Sequence, residues 1–148
     1  RRSGAEFCRS DAFEEFWEVL ADVLRTRHGA RPVHSVEEMR LLASRFPDNI
    51  ELYTATLDGA VQAGVVIYRT PEVVHAQYTA ASPLAREMRL LPALYAHIID
   101  TACDGARYFD FGTSCEQGGR LLNTGLDAQK CGLGGRTTVY PSYILQIQ

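Results

Sequence analysis

Between Ile50 and Ala80 the chain runs through three strand-length segments separated only by tight turns, and this stretch constrains the fold more than any other. Ile50–Leu57 and Ala60–Arg69 flank Asp58-Gly59, a dipeptide that favours the positive backbone angles of a two-residue hairpin turn. Thr70-Pro71-Glu72 then turns the chain into Val73–Ala80. Three sequential antiparallel strands are predicted. By simple alternation His75, Gln77 and Thr79 share one face of the third strand, and Val74, Ala76 and Tyr78 the other.

Helical spacing brackets this stretch. Phe13, Phe16, Trp17, Leu20, Val23 and Leu24 form an apolar stripe behind Asp11 and Glu14, which are spaced as a capping box, and Gly29 ends it after His28. Ser35 and Glu38 form a second capping box before Val36, Met39, Leu42, Ala43 and Phe46, with Pro47 as the stop. After an irregular turn over Ala81–Glu87, Leu91, Leu94, Tyr95, Ile98, Ile99 and Ala102 mark a longer helix, with Pro92 in its first turn and Gly105 closing it. Arg107–Gly112 reads as a short strand, residues 119–129 as a short helix, and Thr137–Ile147 as a last strand or hairpin. A helix between Val73–Ala80 and Arg107–Gly112 makes a crossover, which favours parallel neighbours. The expected fold is α/β (α+β): a mixed, mostly antiparallel sheet with flanking helices. Residues 1–10 read as a tail or linker and 11–148 as a single domain, expected to be part of a longer chain.

With 148 residues and a net charge of −3, a surface-wide basic footprint for nucleic acid is excluded, although a local patch is not. No apolar run is long enough to predict a membrane-spanning helix, and the start does not read as a signal peptide. Cys8, Cys103, Cys115 and Cys131 show neither C-x-x-C nor metal-ligand spacing, so reduced thiols, a cytoplasmic setting and no metal are expected.

Five strings add specificity: Pro32-Val33-His34-Ser35, His75-Ala76-Gln77-Tyr78, Phe109-Asp110-Phe111-Gly112-Thr113-Ser114, Leu122-Asn123-Thr124-Gly125-Leu126 and Gly134-Gly135-Arg136. Their order along residues 11–147 resembles the GNAT-like acyltransferase domains of FemAB-like proteins, most closely the C-terminal half of a two-half arrangement. The resemblance implies transfer of an acyl or aminoacyl group to the amine of an acceptor substrate. It implies acyl-CoA (acetyl-CoA) or aminoacyl-tRNA as donor. It also implies a second GNAT-like half, or a homodimer, as partner. In the resembled fold two central parallel strands, here Val73–Ala80 and Arg107–Gly112, splay so that the acyl group enters between them.

Acyl transfer to an amine needs a base, a polarised carbonyl and a proton for the leaving group. His75 is suited to proton transfer near neutral pH, or is a hydrogen-bonded histidine on a half-polar face. Tyr78 can donate a proton to a thiolate or ribose oxygen, or lie in the core with its hydroxyl at the rim. Asp110, between two phenylalanines on an expected central strand, either orients a neighbouring group or bonds the loop amides of residues 112–114. Glu116 is a candidate base or a helix cap, and Asn123 a polar candidate ahead of Lys130. Cys115 lacks any local nucleophile signature, and Gly132 with Gly134-Gly135 follows a helix and reads as a C-cap turn. The loop Ala80–Arg89 contains no glycine, and Pro83 supplies no N–H, so few backbone donors are expected for a pyrophosphate. Arg86 and Arg89 are the candidate phosphate clamp. Weak acyl-CoA binding by this chain alone is therefore predicted. The alternative function is a non-catalytic half that supports a partner domain or binds tRNA or peptide.

Overall fold

The computed structural model describes residues 4–146. The chain divides into two compact units, one up to Gly112 and one from Thr113.

The first unit is a five-stranded sheet with helices on both faces. Its strands are β1 (Glu6–Ser10), β2 (Ile50–Leu57), β3 (Ala60–Arg69), β4 (Val73–Ala81) and β5 (Tyr108–Asp110), in the order β1-β2-β3-β4-β5. The first three junctions are antiparallel and β4–β5 is parallel. The mixed, mostly antiparallel sheet with one parallel pair is the architecture expected from the sequence. The β2–β3 turn places Asp58 at φ 50° and Gly59 at φ 79°, as a two-residue hairpin requires.

Helix α1 (Phe13–His28) packs Phe16, Trp17 and Leu20 against Leu52, Val66 and Ala80 of the sheet, and Met39 of α2 (Val36–Arg45) joins this core. Helix α4 (Leu90–Ala102) buries Leu90, Leu94, Tyr95 and Ile98. Adjacent strand residues point to opposite faces. Leu52 lies in the α1 core, whereas its neighbour Tyr53 stacks on His97 of α4, so α1 and α2 cover one face and α4 the other. At the α1 crossing β3 carries Gly64, where a Cβ would lie 2.3 Å from the ring of the fully buried Phe16.

Several sequence expectations change. Glu6–Ser10, expected as a tail, pairs along β2 as the edge strand, while Arg1–Ser3 lie outside the described residues. The N-cap of α1 is Ala12 without a side-chain cap, in place of Asp11; the Ser10 hydroxyl accepts from the Ala12 N–H instead. The capping box of α2 forms as expected, with Ser35 and Glu38 exchanging bonds with each other's backbone N–H. The turn after β4 contains a five-residue helix, α3 (Pro83–Glu87), because Ser82 caps it through the Ala85 N–H and Pro83 fits its first position.

The second unit contains a two-stranded ribbon, β6 (Cys115–Glu116) with β7 (Leu121–Leu122), and α5 (Thr124–Gly132). The helix lies three to five residues later than expected because Asn123 is its N-cap. Residues 137–146, expected as a strand or hairpin, form no strand; Ile147 of that segment lies outside the described residues.

Candidate active site

His75 and Asp110 meet where the parallel pair ends. The β4–β5 ladder joins Val73 to Tyr108, Val74 to Phe109 and His75 to Asp110, and β4 continues to Ala81 without β5 beside it. The parallel ladder therefore ends at His75 and Asp110. There His75 Nδ1 lies 2.8 Å from Asp110 Oδ2. The other carboxylate oxygen, Oδ1, accepts the Gly112 N–H at 2.8 Å. With Nδ1 donating to the carboxylate, neutral His75 keeps a lone pair on Nε2. The carboxylate is thus fixed by the chain behind it and in turn orients the imidazole.

Asp110 is not buried among aromatics on a central strand, as its sequence context suggested. It lies on the edge strand β5, half of its side chain is exposed (52%), and Phe109 and Phe111 turn the other way to pack around Tyr95 of α4. Tyr95 is held by Thr79, whose hydroxyl lies 2.8 Å from the phenol oxygen.

A β-bulge resets the faces of β4. Val66 pairs with Tyr78 and Ile67 with Ala76, so Gln77 is the extra residue. Tyr68, opposite His75, reaches Met39 of α2, and Val66, opposite Tyr78, lies in the α1 core. His75 and Tyr78 consequently share the α1/α2 face, contrary to the simple alternation that separated them, and Thr79 faces α4. Two rungs of about 3.3 Å separate them along the strand.

Tyr78 is joined by a residue to which the sequence reading gave no role. His34, in the loop between α1 and α2, places Nδ1 2.5 Å from the Tyr78 hydroxyl. Its carbonyl accepts the Trp17 indole N–H at 3.1 Å, and the Trp17 ring lies edge-on to Tyr78 at 5.2 Å. Burial holds the Tyr78 phenol above its ordinary pKa; the backbone of His34 opposes this and the charge of Glu38 adds to it. In the sequence His34 stands just before the Ser35 cap and within the string Pro32-Val33-His34-Ser35, neither of which assigns its side chain a role.

Arg86 lies in the last turn of α3, and Arg89 occupies the N-cap of α4 in a left-handed conformation, φ 55°. Both are exposed. The N–H groups of Ala85, Met88 and Arg89 are already bonded within this turn, and Ser82 N–H bonds Gln62. The turn thus offers two guanidinium groups in place of a backbone cradle.

Glu116 and Asn123 lie in the second unit and have each other as partners. Asn123 Nδ2 donates to Glu116 Oε1 at 2.7 Å, while its Oδ1 accepts the Leu126 N–H at 2.9 Å as the α5 cap. Asn123→Ala removes that cap and should cost α5 about 0.5–2 kcal/mol. Hydrogen exchange of the amides of residues 124–132 measures it; unchanged protection would show that the cap contributes nothing. Lys130 bonds the Thr113 carbonyl. Among the described residues no group of three His, Cys, Asp or Glu side chains could hold a metal ion, and no helix is long and apolar enough to cross a membrane.

A mostly antiparallel sheet that ends in a parallel pair, with helices on both faces, is a GNAT-type α/β fold. Solved structures share it at low identity. An aminoglycoside N-acetyltransferase, AAC(6')-Iy, in complex with CoA aligns with a TM-score of 0.72 at 16% identity, covering 99% of this chain and 97% of that one. Diaminobutyrate acetyltransferase EctA from Paenibacillus lautus, in complex with L-2,4-diaminobutyric acid and coenzyme A, gives 0.63 at 18%, covering 89% and 74%. Ribosomal-protein-alanine N-acetyltransferase from Brucella melitensis biovar Abortus 2308 gives 0.63 at 15%, covering 97% and 99%. No curated protein sequence matches the chain. Residues 2–118 match the sequence profile of the Acetyltransferase (GNAT) domain. The chain belongs to the GNAT acetyltransferase family.

Proposed function

We propose that this chain catalyses transfer of an acyl group to an amine, with His75 as the base, Asp110 as its orienting carboxylate and Tyr78 as the proton donor to the leaving group. The observation that carries this reading is the His75–Asp110 pair at the last rung of the β4–β5 ladder. An amine must lose a proton as it attacks a carbonyl, and an imidazole whose Nδ1 is tied to a carboxylate has Nε2 free to take it. Fold relatives named for aminoglycoside and diaminobutyrate acetylation support an amine-bearing acceptor. Glu116 is the competing candidate for the base. Glu116→Gln keeps an oxygen for Asn123, so its turnover separates the two readings without unfolding the helix.

The donor is proposed to be acyl-CoA, with Arg86 and Arg89 clamping its phosphates. The bonded amides of the α3 turn make that grip weak. Calorimetry with acetyl-CoA should give a dissociation constant above the low-micromolar range, weaker than about −8 kcal/mol. Binding in that range, undiminished by Arg86→Ala and Arg89→Ala, would show that another surface holds the donor.

The same turn favours a second reading at the finer level. The strings around His34, His75, Asp110 and Asn123 resemble those of the FemAB-like branch, and on this second reading the donor is aminoacyl-tRNA and the partner a second GNAT-like half or a second copy. On that reading this half either completes the site or only supports the partner and binds tRNA or peptide. A cytoplasmic setting accompanies either reading, since the four cysteines are unpaired thiols. Turnover of an amine panel with acetyl-CoA and with charged tRNA, using the intact protein, decides between the donors. Absence of transfer from both would leave the supporting role.

A further inference from the structure

We propose that His34 is a positioning residue that supplies, through Tyr78, the proton taken by the leaving group. The inference rests on the acyl-transfer reading above and adds to it a residue from outside the strand pair.

The geometry is specific. Three elements close on one point: Trp17 of α1 fixes the His34 backbone, His34 reaches Tyr78 of β4, and the Trp17 ring packs on Tyr78. The bulge at Gln77 is what turns Tyr78 to this face, where it joins His75. One imidazole–phenol pair and one imidazole–carboxylate pair thus share a face of a single strand. Their chemistry differs. His75 is tied to a carboxylate and accepts a proton at Nε2. His34 is tied to a phenol, which can bond it in either protonation state. When Nδ1 of His34 is bare, the phenol donates to it and has no proton to offer elsewhere. When Nδ1 carries a proton, it donates to the phenol oxygen and the phenol proton is free for another acceptor; of the two forms with that proton, only the imidazolium can pass it on to a phenolate and remain a neutral ring.

The step balances as follows. The amine nitrogen bonds the acyl carbon, and the bond from that carbon to the donor's sulfur or oxygen breaks, its electron pair leaving with that atom. The leaving atom takes the Tyr78 proton, the phenolate takes the Nδ1 proton of the His34 imidazolium, and His75 takes the proton lost by the amine. The titratable groups facing this pair are Glu38 of α2, Tyr68 of β3 and, two rungs along, His75 with Asp110; α1 contributes the uncharged Trp17.

The consequence is a pH limb. Transfer should fall as pH rises and His34 loses its proton, opposite in sign to the dependence on His75. In the intact protein, His34→Gln should lower kcat by about 10–10²-fold, leave KM for the donor little changed and abolish the alkaline limb. Tyr78→Phe should do the same, and the double variant should be no slower than the slower single one. His34→Asn, which keeps a short hydrogen-bonding side chain, serves if the Gln variant melts early. A second readout needs no turnover: in the unliganded protein the nitrogen-15 resonance of His34 Nδ1 should move on Tyr78→Phe. Unchanged kcat and pH profile in the His34 variants, with the wild type active, would overturn the relay alone. An Nδ1 resonance indifferent to Tyr78→Phe would overturn the pair itself. A wild type inactive toward every donor, with the resonance moving as expected, would overturn the acyl-transfer reading and the relay with it, leaving only the hydrogen-bonded pair.

Discussion

His75→Ala should lower kcat of the intact protein by about 10²–10⁴-fold, while its thermal midpoint stays close to that of the wild type. The expectation follows from exposure as well as geometry. His75 is one-third exposed and Asp110 half exposed, so neither side chain fills the core. A surface pair of this kind contributes about 0–1 kcal/mol to stability. Asp110→Asn is the more discriminating partner. It leaves the chain its shape, and the amide oxygen can still accept the Gly112 N–H. It removes the charge that holds the imidazole with Nδ1 donating and Nε2 bare. Its rate should fall by about 10²-fold, again with little change in melting. Turnover measured beside a thermal melt checks both. Full turnover in His75→Ala together with a large loss in Glu116→Gln would move the base to the second unit.

The sheet was largely legible because its signals are local. Asp58-Gly59 can form only a few turns, Ser35 and Glu38 satisfy one another's backbone N–H within four residues, and the α4 stripe repeats for three turns. What was misread depends on partners distant in sequence. Glu6–Ser10 is held as a strand by pairing with β2, some 45 residues away, and five residues carry too little pattern to announce it. Gln77 is a bulge only because β3 offers one residue fewer opposite it, so alternation put His75 and Tyr78 on opposite faces. Asp110 was taken as buried because its neighbours are aromatic, yet in a strand the neighbours point the other way, here onto Tyr95. The site residues were therefore nameable one by one, while their pairing was not. The string around His34 names no role for its side chain; the role becomes visible when Trp17 and Tyr78 are brought to it.

The largest effects on stability should come from one glycine and the ring packed on it. At Gly64 an added Cβ would sit 2.3, 2.7 and 2.9 Å from three atoms of the Phe16 ring, well inside contact distance. Phe16 is fully buried, lies T-shaped to Trp17 at 5.8 Å, and belongs to the core shared with Leu20, Met39, Leu52 and Val66, so the ring has little room to retreat. Gly64 is within β3 and its backbone is ordinary, so the requirement is space and not a positive φ. Gly64→Ala should cost at least about 1–3 kcal/mol by overpacking, reduced slightly by the better strand propensity of alanine. Phe16→Ala should cost about 3–5 kcal/mol, because it leaves a ring-sized cavity under α1. The two changes act on the same volume, so the double variant should be less destabilised than the sum, with a coupling of about 1–3 kcal/mol. Urea unfolding of the four proteins measures the cycle. Additive costs would mean that α1 shifts away from β3 as a body. That shift would also displace Trp17, and with it the loop that carries His34 to Tyr78.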